Sequence, residues 1–234
     1  MNKFTILHLY PKELNIYGDG GNVMCIYKRM KWRNIPCKVV EKGVGDKLNN
    51  VNFDMIFIGG GQDSDLKILQ KDLMKKADTI KYALESDKIV LAVNSGYQML
   101  GSYLETKDGS VIELLNAIDF YTVSNRKRLI GNFVYQTSFG GVVGFENHSG
   151  RTYLGDGVEP LGNVKKGFGN NGKDLTEGLR YKNVYGTYAQ GPVLVKNPNF
   201  SDEIIKKMTH LDELSPLDDS IELCCQQYLI KRFS

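Results

Sequence analysis

Several features that would place a protein at a glance are missing or sparse here. No apolar run approaches the ~18 residues that a membrane-spanning helix needs. The chain opens on the strand-like stretch FTILHLY and lacks the three-part plan of a secretory signal. A cytoplasmic protein without membrane insertion is therefore expected. Cysteine is scarce: four residues, at 25, 37, 224 and 225, with no C-x-x-C and no companion histidines at ligand spacing. That argues against a disulfide framework or a zinc site, so no metal and no cofactor are expected. Charge of one sign is missing too, since 30 basic and 27 acidic side chains leave a formal net charge of +3. The densest basic stretch, Arg126-Lys127-Arg128, is read by default as a solvated face, and no nucleic-acid partner is expected. Internal repeats, linkers and low-complexity segments are absent.

What remains is a chain of 234 residues with 41% apolar and 24% charged side chains, enough for one sizeable core. A single domain over 1–234 is expected. Short apolar runs alternate with helical patterns through the first hundred residues. Strands are expected at Phe4–Leu9, Pro36–Val40, Phe53–Ile58 and Ile89–Val93, with helices at Asn22–Arg33 and for about twenty residues from Asp65. Such alternation predicts right-handed βαβ units and a mostly parallel sheet. From Ile118 to Tyr153, β-branched and aromatic residues alternate between glycine-rich turns, which predicts antiparallel strands. Val184–Tyr188 reads as a last strand, and Phe200–Thr209 and Asp218–Lys231 as closing helices.

Chemistry in such a sheet belongs beyond the carboxyl ends of the strands, and two of these ends stand out. Ile58-Gly59-Gly60-Gly61-Gln62-Asp63 puts a triple glycine after a strand. It suits either a backbone that approaches a ligand or a tight turn, and it lacks the spacing and Lys-Ser/Thr of a phosphate loop. Leu91-Ala92-Val93-Asn94-Ser95-Gly96-Tyr97-Gln98-Met99-Leu100-Gly101 runs from an apolar strand through a small-residue turn into a helix. This is the layout of a nucleophile elbow, although a structural turn reads the same way. The residue at the apex is Asn94, which is not a nucleophile.

The elbow resembles the nucleophile motif of class I glutamine amidotransferases, usually Cys-Gly-Gly-Tyr-Gln followed by Leu-Gly. The match is to the branch related to cobyric acid synthase and, more narrowly, to the small subunits of lipid II isoglutaminyl synthases. Tyr10-Pro-Lys-Glu-Leu-Asn-Ile-Tyr-Gly-Asp-Gly-Gly-Asn22, Ile58–Asp63, Gly144-Phe-Glu-Asn-His-Ser-Gly-Arg-Thr-Tyr153 and Gly186-Thr-Tyr-Ala-Gln-Gly-Pro192 resemble further motifs of that group, in order, over nearly the whole chain. The resemblance implies a flavodoxin-like α/β fold, a mostly parallel central sheet flanked by helices with additional antiparallel strands. It also implies a Mur-ligase-like partner in a heterodimer, and glutamine as a candidate ligand.

It places the family's cysteine at Asn94 and its histidine at Gln190. Thiolate attack on a carboxamide and proton transfer to the leaving ammonia would both be lost, so neither position is expected to be catalytic. The backbone N–H groups of Ser95, Gly60 and Gly61 fall where an oxyanion hole would form. Gln98 and Arg128 match substrate-binding positions, with a surface role for Arg128 equally open. Asn94 and Gln190 are expected to hydrogen-bond each other. Ser95 is the natural substitute nucleophile, but no base is evident: His8 lies within a strand, His210 ends a helix, and His148 belongs to a pocket-lining signature. Three readings stay open: a subunit that does not hydrolyse glutamine, a working glutaminase with unorthodox residues, and a stand-alone glutamine-binding module.

Overall fold

The computed structural model describes residues 3–49 and 51–233. The first half of the chain alternates as expected: β1 (Phe4–Leu9), α1 (Gly20–Trp32), β2 (Cys37–Lys42), β3 (Met55–Ile58), α2 (Asp63–Lys75), α3 (Ala77–Glu85), β4 (Ile89–Val93) and the short α4 (Ser95–Gln98). The second half adds β5 (Tyr103–Glu105), β6 (Val111–Glu113), β7 (Phe120–Thr137), β8 (Gly140–Leu154), β9 (Gly162–Lys166), β10 (Thr176–Glu177), β11 (Leu179–Tyr181) and β12 (Val184–Thr187). The helices α5 (Val193–Lys196), α6 (Pro198–Thr209) and α7 (Ser220–Phe233) follow.

The single helix expected from Asp65 is in fact two. It breaks at Lys76, whose ammonium folds back onto Asp72 one turn earlier and lies over the Tyr10 ring. Asp72 also accepts hydrogen bonds from the Tyr10 hydroxyl at 2.8 Å and from the Gly45 N–H at 2.9 Å. The buried lysine thus has a carboxylate partner that is itself satisfied, the condition for keeping such a pair inside a protein.

One sheet has the order β11-β12-β4-β3-β1-β2, with every pairing parallel except β11 with β12. Alternate residues feed separate cores on its two faces. Leu7, Leu9, Ile56, Ile58, Val90 and Ala92 join one, while Ile6, Met55, Phe57, Ile89 and Leu91 join the other. Strands buried on both faces read as continuous apolar runs, which is why β4 was legible to the residue. The chain leaves β1 toward β2 on one side and returns to β3 on the other. That switch point puts the loops after β1, β3 and β4 together at one end of the sheet.

The second sheet, β10-β9-β7-β5-β6, carries β8 against β7. The β7–β8 hairpin is antiparallel, with a register shift between Ser124 and Leu129 that leaves Arg126, Lys127 and Arg128 outside the ladder. A bulge of this kind re-aims side chains at a sheet margin. At the other end of the molecule a buried network pins the closing segment to α1. Arg29 makes two bonds to Asp219, at 2.6 and 2.7 Å, and reaches Asp202 at 2.9 Å; Arg33 also bonds Asp202, at 2.7 Å. Removing one partner of such a buried set costs ~3–5 kcal/mol. Among the described residues no helix is long and apolar enough to cross a membrane.

Candidate functional site

The elbow is built as its sequence implies. Asn94 follows the fully buried β4 with φ 50° and ψ −111°, in the left-handed half of backbone space that few non-glycine residues occupy. Two contacts hold the turn: the Asn94 N–H donates to Thr187 O at 2.9 Å, and the Gly96 N–H donates to Gly59 O at 3.1 Å. A Cβ at position 96 would sit 2.4 Å from the Ile58 carbonyl oxygen, so glycine is required for β3 and the elbow to approach. The strained geometry of a nucleophile elbow is present, with a neutral amide at its apex.

The glycine loop faces that apex, but its donors are engaged within the chain. The Gly60 N–H donates to Asp19 Oδ2 at 2.7 Å, and the Gly61 N–H to Ser95 Oγ at 3.2 Å. The Ser95 hydroxyl in turn donates to Gly61 O at 2.8 Å. Two of the three expected oxyanion-hole donors are therefore occupied, and the Ser95 hydroxyl is committed to the loop. Asp19 is fully buried, its Oδ1 has no partner, and burial pushes its carboxyl up to about 6 against the opposing pull of the Gly60 N–H. The four cysteines are free thiols lying elsewhere, on α1, β2 and α7.

A cavity of about 330 Å³ opens beside the apex, lined by Tyr17, Gly61, Asn94, Lys107, Arg128 and Asn147, among others. Asn147 organises one wall. Its side-chain oxygen accepts from Arg128 Nε at 2.7 Å, its carbonyl accepts from Arg128 Nη2 at 2.8 Å, and its amide donates to the Tyr17 hydroxyl at 2.6 Å. Arg128 is thus exposed and fixed at once, with Nη1 left over. His148 also lines the cavity, stacked on Tyr188 with ring centroids 3.7 Å apart. Its Nδ1–H donates to Gly150 O at 2.8 Å and its Nε2 lies 3.5 Å from Glu146 Oε2. Nδ1 is committed to Gly150 O, the buried Nε2 has no hydrogen-bond partner, and burial lowers the imidazole's affinity for a proton.

Two expectations need correction. Asn94 and Gln190 are not hydrogen-bonded to each other. The Asn94 amide donates to Gly61 O at 3.2 Å, and the Gln190 amide is directed at Asn147 O at 3.4 Å, leaving the buried Gln190 Oε1 without a partner. The Gln190 backbone bridges to Phe145 in the second sheet, which fixes its direction independently of the elbow. Gln98 is buried behind the elbow, donates to the Tyr188 hydroxyl at 3.1 Å, and is not among the cavity's lining residues. His8 and His210 fall where expected, within β1 and at the left-handed cap of α6.

Sequence reasoning missed the residues that hold this geometry. Asp19 and Tyr17 flank Gly18 inside the opening motif, and Asn147 lies between Glu146 and His148 of the central one; no local pattern singled any of them out. Glu177 gave none. It is fully buried, accepts from the Thr187 hydroxyl at 2.6 Å and the Tyr188 N–H at 2.8 Å, and is pushed up to about 8 by burial. It tethers the segment that leads to Gln190.

Residues 5–198 match the CobB/CobQ-like glutamine amidotransferase domain. The chain is 40% identical to the lipid II isoglutaminyl synthase (glutamine-hydrolyzing) subunit GatD of Staphylococcus aureus, over 99% of this chain and 97% of that one. It is 36% identical to the corresponding Streptococcus pneumoniae subunit, over 87% and 79%. A probable cobyric acid synthase of Methanothermobacter thermautotrophicus is 30% identical over 80% of this chain and 39% of that protein. In fold, the chain is similar to a glutamine amidotransferase crystal structure (TM-score 0.62, 16% identity, 87% and 98% covered). It is also similar to the glutaminase domain of Trypanosoma brucei CTPS (TM-score 0.60, 12% identity, 92% and 97% covered).

Proposed function

The chain belongs to the CobB/CobQ-like glutamine amidotransferase family, and we propose that it is the amidotransferase-like subunit of an isoglutaminyl-synthase type of complex and does not hydrolyse glutamine itself. The observation that carries this is the elbow. Its strained backbone and glycine clearance are kept, while the apex side chain is the Asn94 amide, tied to Gly61 O. An amide nitrogen has no nucleophilic lone pair near neutral pH, and the Gln190 amide does not titrate. The working-glutaminase reading would need Ser95, whose hydroxyl is already donated to the Gly61 carbonyl.

A Mur-ligase-like protein is the partner in this proposal, with amidation of a peptidoglycan precursor as the joint reaction and the cytoplasm as its place. Resemblance to the two curated isoglutaminyl synthase subunits supports it. Residues 1–234 are taken as one domain, a view supported by the bridge between Phe145 in the second sheet and Gln190 beyond the first. The stand-alone glutamine-binding reading keeps Arg128 and the cavity but has no partner. Co-expression with a ligase-like subunit separates the two. A stable 1:1 complex through gel filtration is expected, and separate elution of the two chains at micromolar concentration would contradict the partner half of the proposal.

A further inference from the structure

Two cations face the cavity at the elbow, and neither has a carboxylate partner among the described residues. Arg128 and Lys107 both line it, both are exposed, and neither takes part in an ion pair. Among the described residues no carboxylate lines it. We propose that this cavity binds an amino acid carrying a side-chain carboxylate, of glutamate length, in preference to glutamine. The inference rests on the reading that the chain does not hydrolyse glutamine.

Three observations carry it. First, Arg128 is preset. Asn147 holds Nε and Nη2, and Asn147 is itself held by Tyr17, so the guanidinium presents Nη1 in a fixed direction to an anion. Second, two of the three groups that would receive a carboxamide oxygen are already used: the Gly60 and Gly61 N–H groups donate to Asp19 and Ser95. Glutamine's side-chain oxygen would have to displace an internal partner to be bound by either glycine N–H. Third, the lining also includes Lys107, in the turn between β5 and β6, where an ammonium on a flexible stem can meet a second carboxylate. Asn94 brings no charge to oppose that anion, which an ionised thiolate at the apex would. One carboxylate on each cation gives both a partner, and of the two amino acids only glutamate carries two carboxylates.

The test is calorimetric titration of the full-length chain at about physiological ionic strength, where exposed charges are partly screened. L-glutamate, L-glutamine and sulfate are the three probes. Glutamate is expected to bind on the order of tenfold tighter than glutamine. Lys107→Gln is expected to bring the two within about twofold by weakening glutamate alone, and Lys107→Arg to restore most of the difference. The proposal is overturned if glutamine binds as tightly as glutamate, if the preference survives Lys107→Gln, if neither amino acid binds, or if sulfate competes as well as glutamate. Release of glutamate from glutamine by the same preparation is scored separately. A positive result there removes the premise, whereas a reversed affinity order with no release removes only this inference.

Discussion

The double variant Asn94→Cys/Gln190→His is expected to release glutamate from glutamine at least about 100-fold faster than the native chain, the lower end of what a positioned base contributes. The expectation rests on what is preserved around the two positions. The residue at 94 already sits at φ 50° and ψ −111°, anchored through Thr187 O, so a cysteine there would inherit an elbow rather than have to build one. Glycine at 96 keeps the turn pressed onto β3. At 190 the backbone is fixed by its bridge to Phe145 and its side chain already points at Asn147 O, on the cavity wall. Each single variant should stay close to the native level, because nucleophile and base act as a unit and one without the other contributes little. Assaying all four proteins in complex with the ligase-like partner checks this. A silent double variant that remains folded would show that the Asp19 and Ser95 caps on the glycine loop block the site as well.

Lowering the pH from 7 to about 4.5 is expected to stabilise the native chain relative to Asp19→Asn. Asp19 is fully buried, and its carboxyl stands at about 6 in the fold against an ordinary 3.8. Above pH 6 the folded chain carries a buried charge that the unfolded chain keeps in water, so Asp19 detracts from stability there. As the pH falls from 6 toward 4, the folded chain takes up the proton first and the loss is relieved; below 4 both states are protonated and the effect levels off. Full relief amounts to ~3 kcal/mol, because each tenfold change in proton affinity between the folded and unfolded chain is worth about 1.4 kcal/mol. Asparagine keeps an acceptor for the Gly60 N–H but cannot titrate, and other acid-sensitive groups cancel in the difference between the two proteins. Urea unfolding at several pH values reads that difference. A gap independent of pH would show that Asp19 does not carry the charge cost its burial implies.

The parallel core was the most legible part of the fold. β1 and β4 are buried apolar runs bounded by glycine, polar residues or a turn, and both fell at the expected residues because a strand covered on both faces leaves a signal no amphipathic helix mimics. The break at Lys76 was not legible. It depends on Tyr10 and Asp72, and no local pattern announces a lysine that turns inward to meet them. The short strands β5, β6, β9 and β10 were equally hidden, because two to five residues carry too little periodicity to stand out.

At the site, the elbow and the glycine loop could be read because their residue types are forced by close backbone approach. Donor occupancy could not. Whether the Gly60 N–H faces a ligand or Asp19 depends on a contact 41 residues apart in sequence. The Asn94–Gln190 pairing failed for a similar reason, since each amide found a nearer backbone carbonyl.

The most direct measurement is glutamate release from glutamine by the native chain, alone and with its co-expressed ligase-like partner. Release at or below the background set by a matched purification without the chain is the expected result in both states. Release that exceeds this background, scales with the amount of chain and disappears with Ser95→Ala would contradict the account, and would make Ser95 the nucleophile of a working glutaminase.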